Sequence, residues 1–440
     1  MKYMAVADKY FLNTGRRFHR EIIWAMGAIK YSAAEANREL GILEEGIAES
    51  IAKVSRRLMS GELDSEITVD VFQTGSGTGL NMNVNEVIAR YASKEAGVEI
   101  HPNNHVNMSQ SSNDVVPSAI RLAALKRFQT FREVYVAFLG SLKRAARTFS
   151  DVVKPGRTHL RDALPVTLGQ ELGAFLDGLS RDLEYLERSL EMVRELPLGG
   201  TAVGTGFNTP TNYIDTVFKH LRNVTGLEVR PAEDRFRATR LITDMAMVSS
   251  SLKMVALDLY RLSQDIRLMF SGPFTGLNEI DIPMDIAGSS MMPGKTNPVT
   301  VEAVLQASAY IMGLDHSNQI LSMLGELELS MGIPLMGYNV IEMMNILETS
   351  LEKMSKNVID VLTPRAEYME RQAMKSPSLV TALVPIIGYD KAAELGRKIS
   401  EGMDLVEALK SIGYSDQEVR RLLDVKRMTR PGIYVLEDRE

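Results

Sequence analysis

Thr74, Ser76, Thr78, Asn83, Ser109, Ser111, Ser112, Asn113, Thr158, His159, Ser289, Lys295 and Asn297 are small polar donors joined by one imidazole and one ammonium. They lie in four segments dense in Ser, Thr, Asn and Gly: 73–86 (QTGSGTGLNMNVNE), 101–117 (HPNNHVNMSQSSNDVVP), 154–165 (KPGRTHLRDALP) and 270–298. A fifth, 196–210 (LPLGGTAVGTGFNTP), is rich in Gly and Thr. Such a set suits a small, highly charged anion. Carboxylates accept several hydrogen bonds, and N–H and O–H donors with one Lys hold them without a metal. The same residue types also fill turns and helix caps. That plainer reading weakens when four segments share the composition and each abuts a long apolar repeat.

Other chemistries fit less well. The stretch 288–298, GSSMMPGKTNP, is close to a phosphate loop, which needs four residues between its first Gly and its Gly-Lys-Thr. Here Gly288 and Gly294 enclose five, and no strand precedes them. Gly75, Gly77 and Gly79 partly fit a dinucleotide loop, but the third Gly is misplaced and no βαβ alternation surrounds it. His101 and His105 have a spacing that a metal could use. Pro102 and the neighbouring Asn residues make this a loop, and no carboxylate cluster joins it, so no metal is expected. The chain has no Cys, which excludes disulfides, thiolate nucleophiles and Cys-ligated metals.

Long helices must position these segments. Leu168, Leu172, Phe175, Leu179, Leu183, Leu186, Leu190 and Val193 step by four and three. Thr167 and Gln170 open that helix as a capping box. A second stripe runs Met245, Val248, Leu252, Val255, Leu259, Leu262, Ile266 and Met269. Each predicts a helix of about 30 residues, roughly 45 Å, and 118–149 and 299–329 predict two more. Helices so long and apolar suit a bundle, including one that shares its core with other subunits. Short strands at 67–73 and 227–231 are expected to pair locally. The class is all-α. A second capping box, Ser415 to Glu418, opens a helix near the C-terminus.

The 440 residues allow two or three domains. Apolar content is 45% and charged content 24%, ordinary for a globular protein. The net charge of −6 argues against nucleic acid as a partner. The N-terminus has no apolar leader, and no run of about 18 apolar residues predicts a membrane span. A cytoplasmic location is expected.

GSSMMPGKTNP resembles the GSSxMPxKxN signature of the fumarase/aspartase superfamily. TGSGTGLNMNVNEV, HPNNHVNMSQSSND, GRTHLRDALPVTLGQE, LGGTAVGTGFNTP and SPSLVTALVPIIGYDKAA resemble the class II fumarase blocks in order. The likeness spans nearly the whole chain from about residue 10. It implies a three-domain fold: 1–110, mostly helical; 111–375, a central long-helix bundle with a catalytic loop at 288–298; and 376–440, small and helical. It also implies a homotetramer whose active sites combine loops of three subunits, and no cofactor. Aspartate ammonia-lyase is the alternative. Aspartases typically carry Gln where this chain has His159, and tend to SQSTND where it reads SQSSND. Gly276-Leu-Asn-Glu-Ile280 leans the other way.

The resemblance implies reversible hydration of fumarate to L-malate through an aci-carboxylate intermediate. It implies that Ser289 is the base, that Lys295 and Asn297 hold the carboxylate gaining charge, and that His159, paired with Glu302, handles the water proton. Ser76, Thr78, Ser111, Ser112, Asn113 and Thr158 map to substrate binding, and His101, Asn103 and Asn104 to a second anion site. Gly288 and Gly294 are candidate hinges, and Met291 and Met292 lid or core residues. Three departures stand out. Asn104 replaces the usual Asp, Phe274 the usual Arg, and the family's WGAQT segment is missing near the N-terminus.

Overall fold

The computed structural model describes residues 2–284, 286 and 288–432, and helices dominate it. Seven carry the argument: α1 Arg20–Glu39, α2 Thr78–Ala96, α3 Ser112–Thr148, α4 Leu168–Met192, α5 Thr243–Phe270, α6 Val299–Met323 and α7 Ile333–Met354. The expected all-α class holds: among the described residues the strands form only short two-stranded ladders beside the helices.

Helix α4 forms where its apolar repeat predicts. Leu168, Leu172, Leu179, Leu183, Leu186, Leu190 and Val193 are buried, while Phe175 is half-buried. Its start is the expected capping box. The Gln170 N–H donates to Thr167 Oγ1 at 3.0 Å, and Gln170 Oε1 accepts the Thr167 N–H at 2.9 Å. All eight apolar residues of the α5 stripe are buried. Each large aliphatic side chain so removed from water stabilises the fold by about 1.5–3 kcal/mol.

Several local expectations are corrected. Residues 67–73 are not a strand. Asn83 Oδ1 accepts the N–H groups of Thr68 at 2.9 Å and Val69 at 3.1 Å, so one side chain supplies what a partner strand would. Of 227–231, only Arg230–Pro231 joins a ladder, parallel to Glu195–Leu196. The segment 154–165 is no loop: β1 Val153–Thr158 and β2 Arg161–Thr167 form an antiparallel hairpin. Helix α3 begins at Ser112 and passes through Pro117, which lacks the N–H that would donate to the Asn113 carbonyl. Helix α6 ends at Met323, before a tight ladder of Gly325–Glu326 with Leu329–Ser330. Thr78, Ser112 and Asn113, read as loop residues, therefore occupy first turns of helices.

The chain divides into two compact units. The first comprises Met1–Tyr135, Arg181–Leu257 and Gln306–Ser350. It contains a buried ion pair in which Arg121 Nε and Nη2 grip Asp244 at 2.8 and 3.0 Å. The second comprises Val136–Ser180, Asp258–Leu305 and Leu351–Glu440. Its C-terminal part has a core of Leu379, Leu383, Leu395, Leu405, Leu409, Val419 and Leu422. Ser415 and Glu418 complete the second capping box there.

Candidate active site

In the first unit, two helix starts meet. Gly77 turns the chain into α2 with φ of 79°, and a Cβ there would lie 2.6 Å from Val116. Ser76 Oγ lies 2.9 Å from Thr78 Oγ1, which lies 2.8 Å from Ser112 Oγ. This row of three hydroxyls bridges the first turns of α2 and α3. Free N–H groups and the helix dipoles favour an anion at such ends.

Asp114 holds the row in place. Its buried carboxylate accepts the N–H groups of Ser111 at 2.9 Å, Gly199 at 2.9 Å and Thr201 at 3.0 Å. Asn113 Nδ2 donates to the Ala202 carbonyl at 2.8 Å, and Ser111 Oγ accepts the Asn113 N–H. The Gly- and Thr-rich segment is thereby tied to the start of α3. Burial raises the Asp114 pKa to about 6, against the opposing pull of its N–H donors and Lys30.

Lys30 on α1 is completely buried. It donates to Asn81 Oδ1 at 2.7 Å, Asn107 Oδ1 at 3.0 Å and Gln110 Oε1 at 2.9 Å. Burial lowers its pKa to about 7, with Asp114 working the other way. The sequence reading missed both residues. The available signal was a lysine on the apolar face of α1 among Met26, Ile29 and Ala33.

A cleft of about 1070 Å³ is lined by Asn103, Asn104, Gln110, Ser111 and Thr201 among others. Asn103, Asn104 and Ser111 thus border one space. His101 Nδ1 accepts the N–H groups of Asn103 and Asn104, and His105 Nδ1 accepts that of His101. Both Nδ1 lone pairs are engaged, which leaves Nε2 as the remaining hydrogen-bonding atom of each ring.

In the second unit, His159 and Leu160 form the two-residue turn between β1 and β2. Their φ angles are 56° and 57°, the left-handed pair of a type I′ turn. Neither is the Gly or Asn this turn prefers, so the tip is strained. Thr158 and His159 are exposed. Gly156 cannot carry a side chain, since a Cβ would lie 2.2 Å from the Leu164 carbonyl oxygen.

The 288–298 loop is pinched at its neck. The Gly288 N–H donates to the Lys295 carbonyl at 2.9 Å, and Asn297 Nδ2 donates to the Gly288 carbonyl at 2.5 Å. Inside the loop, Ser289 Oγ accepts the N–H groups of Met291 at 3.2 Å and Met292 at 3.0 Å. Two backbone N–H dipoles therefore point at the Ser289 oxygen. Met291 and Met292 are exposed, not core. Lys295 is exposed. Glu302, in the first turn of α6, has its carboxylate 3.8 Å from Arg267 Nε. Phe274 is almost fully exposed.

The comparisons with known proteins agree along the chain. A lyase family matches residues 1–313, and the fumarase C C-terminal family matches residues 379–430. The class II fumarate hydratase of Saccharolobus solfataricus is 55% identical over 435 residues, covering 98% of this chain and 99% of that protein. The aspartate ammonia-lyase of Bacillus subtilis is 35% identical over 435 residues, covering 97% and 92%. Among solved structures, the recombinant class II fumarase of Schistosoma mansoni superposes with a TM-score of 0.94 at 31% identity, covering 97% of this chain and 95% of that one. On these matches and the helical fold, the chain belongs to the class II fumarate hydratase family of lyases.

Proposed function

We propose that this lyase interconverts fumarate and L-malate, with Ser289 as the base. The observation that carries this reading is the pair of backbone N–H groups on Ser289 Oγ. A free serine is far too weak a base, and oriented donors stabilise its alkoxide. In the malate direction, Ser289 takes the C3 proton. The electron pair moves into the adjacent carboxylate, giving an aci-carboxylate held by Lys295 and Asn297. That pair then forms the C2–C3 double bond as the C2–O bond breaks, and a proton from His159 lets the oxygen leave as water. Glu302 pairs with His159 in the working enzyme. Ser76, Thr78, Ser111, Ser112, Asn113 and Thr158 bind substrate oxygens. His101, Asn103 and Asn104 form a second anion site, with Gly288 and Gly294 as hinges of the catalytic loop. The steps move protons and one electron pair and call for no cofactor.

The working form in this proposal is a cytoplasmic homotetramer with sites shared between subunits, built from domains 1–110, 111–375 and 376–440. An exposed apolar row on α5 supports it. Met247, Met254, Leu257 and Leu268 are 53%, 45%, 45% and 41% exposed. Their spacing is that of a coiled-coil seam, on residues other than the buried stripe. Among the described residues, no helix is long and apolar enough to cross a membrane.

The test is ultraviolet absorbance of purified protein given L-malate or L-aspartate in separate metal-free cuvettes. A rise from the fumarate double bond with malate alone is the expected result. A rise with aspartate alone makes the chain an ammonia-lyase.

A further inference from the structure

We infer that Glu279 is a positioning residue that fixes the hairpin carrying His159; this rests on the hydratase reading above. Glu279 is 1% exposed. Its Oε1 accepts from Arg157 Nη1 at 2.7 Å, and its Oε2 lies 2.9 Å from Lys154 Nζ. Lys154, also buried, donates to Glu171 Oε2 at 2.7 Å. Both cations belong to β1, and Arg157 stands two residues before His159. Residues three apart on a regular strand point to opposite faces. The register shift between Pro155 and Arg157 breaks that alternation and lets both reach one carboxylate.

The carboxylate itself is fixed. The Glu279 N–H donates to the Met269 carbonyl at 2.8 Å, and its carbonyl accepts the Arg365 N–H at 2.8 Å. The next two residues, Ile280–Asp281, pair with Thr363–Pro364.

Two features make this a positioning device. A buried ion pair is a weak source of stability, because desolvation offsets most of the attraction. And the His159 tip is exposed, with two left-handed non-Gly residues, so its strain must be balanced from the base of the hairpin. Without Glu279, two cations at that base lose their common partner, and the imidazole loses its orientation.

The experiment is a double-mutant cycle on fumarate hydration by the full chain, using wild type, Glu279→Gln, His159→Asn and the double variant. The wild type is read first. If it does not hydrate fumarate, the reading above falls and takes this inference with it. With an active wild type, Glu279→Gln is expected to lower kcat on the order of 10²-fold, as a misplaced catalytic group does. KM should rise by less than about tenfold, since Thr158 is the one proposed binding residue carried by this hairpin. In the His159→Asn background the same change should cost nothing further, because its route of action is gone. Thermal unfolding should fall equally in both backgrounds. Wild-type turnover in Glu279→Gln overturns the inference. So does an equal loss of turnover with and without His159, the pattern of a merely structural residue. If Glu279→Gln does not fold, the cycle is run with Arg157→Met/Glu279→Gln, which removes the stranded cation while Lys154 keeps Glu171, and is judged by the same outcomes.

Discussion

The hydroxyls of Thr78 and Ser112 lie 2.8 Å apart although 34 residues separate them in the chain. Each opens a long helix, so one contact joins two positive dipole ends. This juncture explains why so many small polar residues occur in the sequence without being loop filler. Thr78, Ser112 and Asn113 form the first turns of two helices.

Thr78→Val keeps the shape and removes the hydroxyl. A hydrogen bond to a charged group contributes about 1.5–3 kcal/mol. Steady-state kinetics should show KM for fumarate raised at least about tenfold, with a smaller change in kcat. An unchanged KM would remove Thr78 from the binding set.

His159→Asn separates chemistry from fold. Asn tolerates the left-handed conformation, so the turn should persist. Turnover should fall by about 10²–10⁴, the range for losing a general acid–base group. The melting temperature should stay within a few degrees of wild type. Near-normal turnover would show that another group handles the water proton.

Lys30 gives a pH test with a definite sign. Its pKa falls from 10.5 to about 7 on burial. Between those values the unfolded chain binds the proton and the native chain has released it. Stability against urea should therefore rise as pH rises from about 7 towards 10.5. The shift is equivalent to several kcal/mol, on the order of 1.4 kcal/mol per unit. Lys30→Met lacks this group, so its urea midpoint should climb less over the same window. Parallel curves for the two proteins would mean that Lys30 does not titrate there.

The legible part of the molecule was its periodicity and its motifs. The stripes of α4 and α5 and both capping boxes depend only on neighbours three or four residues away, and all are found. The signature blocks likewise pointed to the family. What was hidden depends on distant partners. Residues 67–73 have strand-like composition, but Asn83 satisfies their backbone from a helix. The hairpin at 153–167 was masked because His159 and Leu160 are poor turn formers, and the strain shows only in the dihedral angles. Asp114 and Lys30 are invisible because their surroundings come from α2, the segment before α3 and the Gly- and Thr-rich segment at 199–201.

The pinched loop at 288–298 bears most directly on the account, because Ser289 is asked to act as a base. The decisive measurement is turnover of L-malate by Ser289→Ala, with fumarate binding followed by calorimetry on the same protein. Removing the base should lower kcat on the order of 10³-fold or more, while fumarate binding stays within a few-fold of wild type. Turnover close to wild type in that variant would contradict the assignment of Ser289.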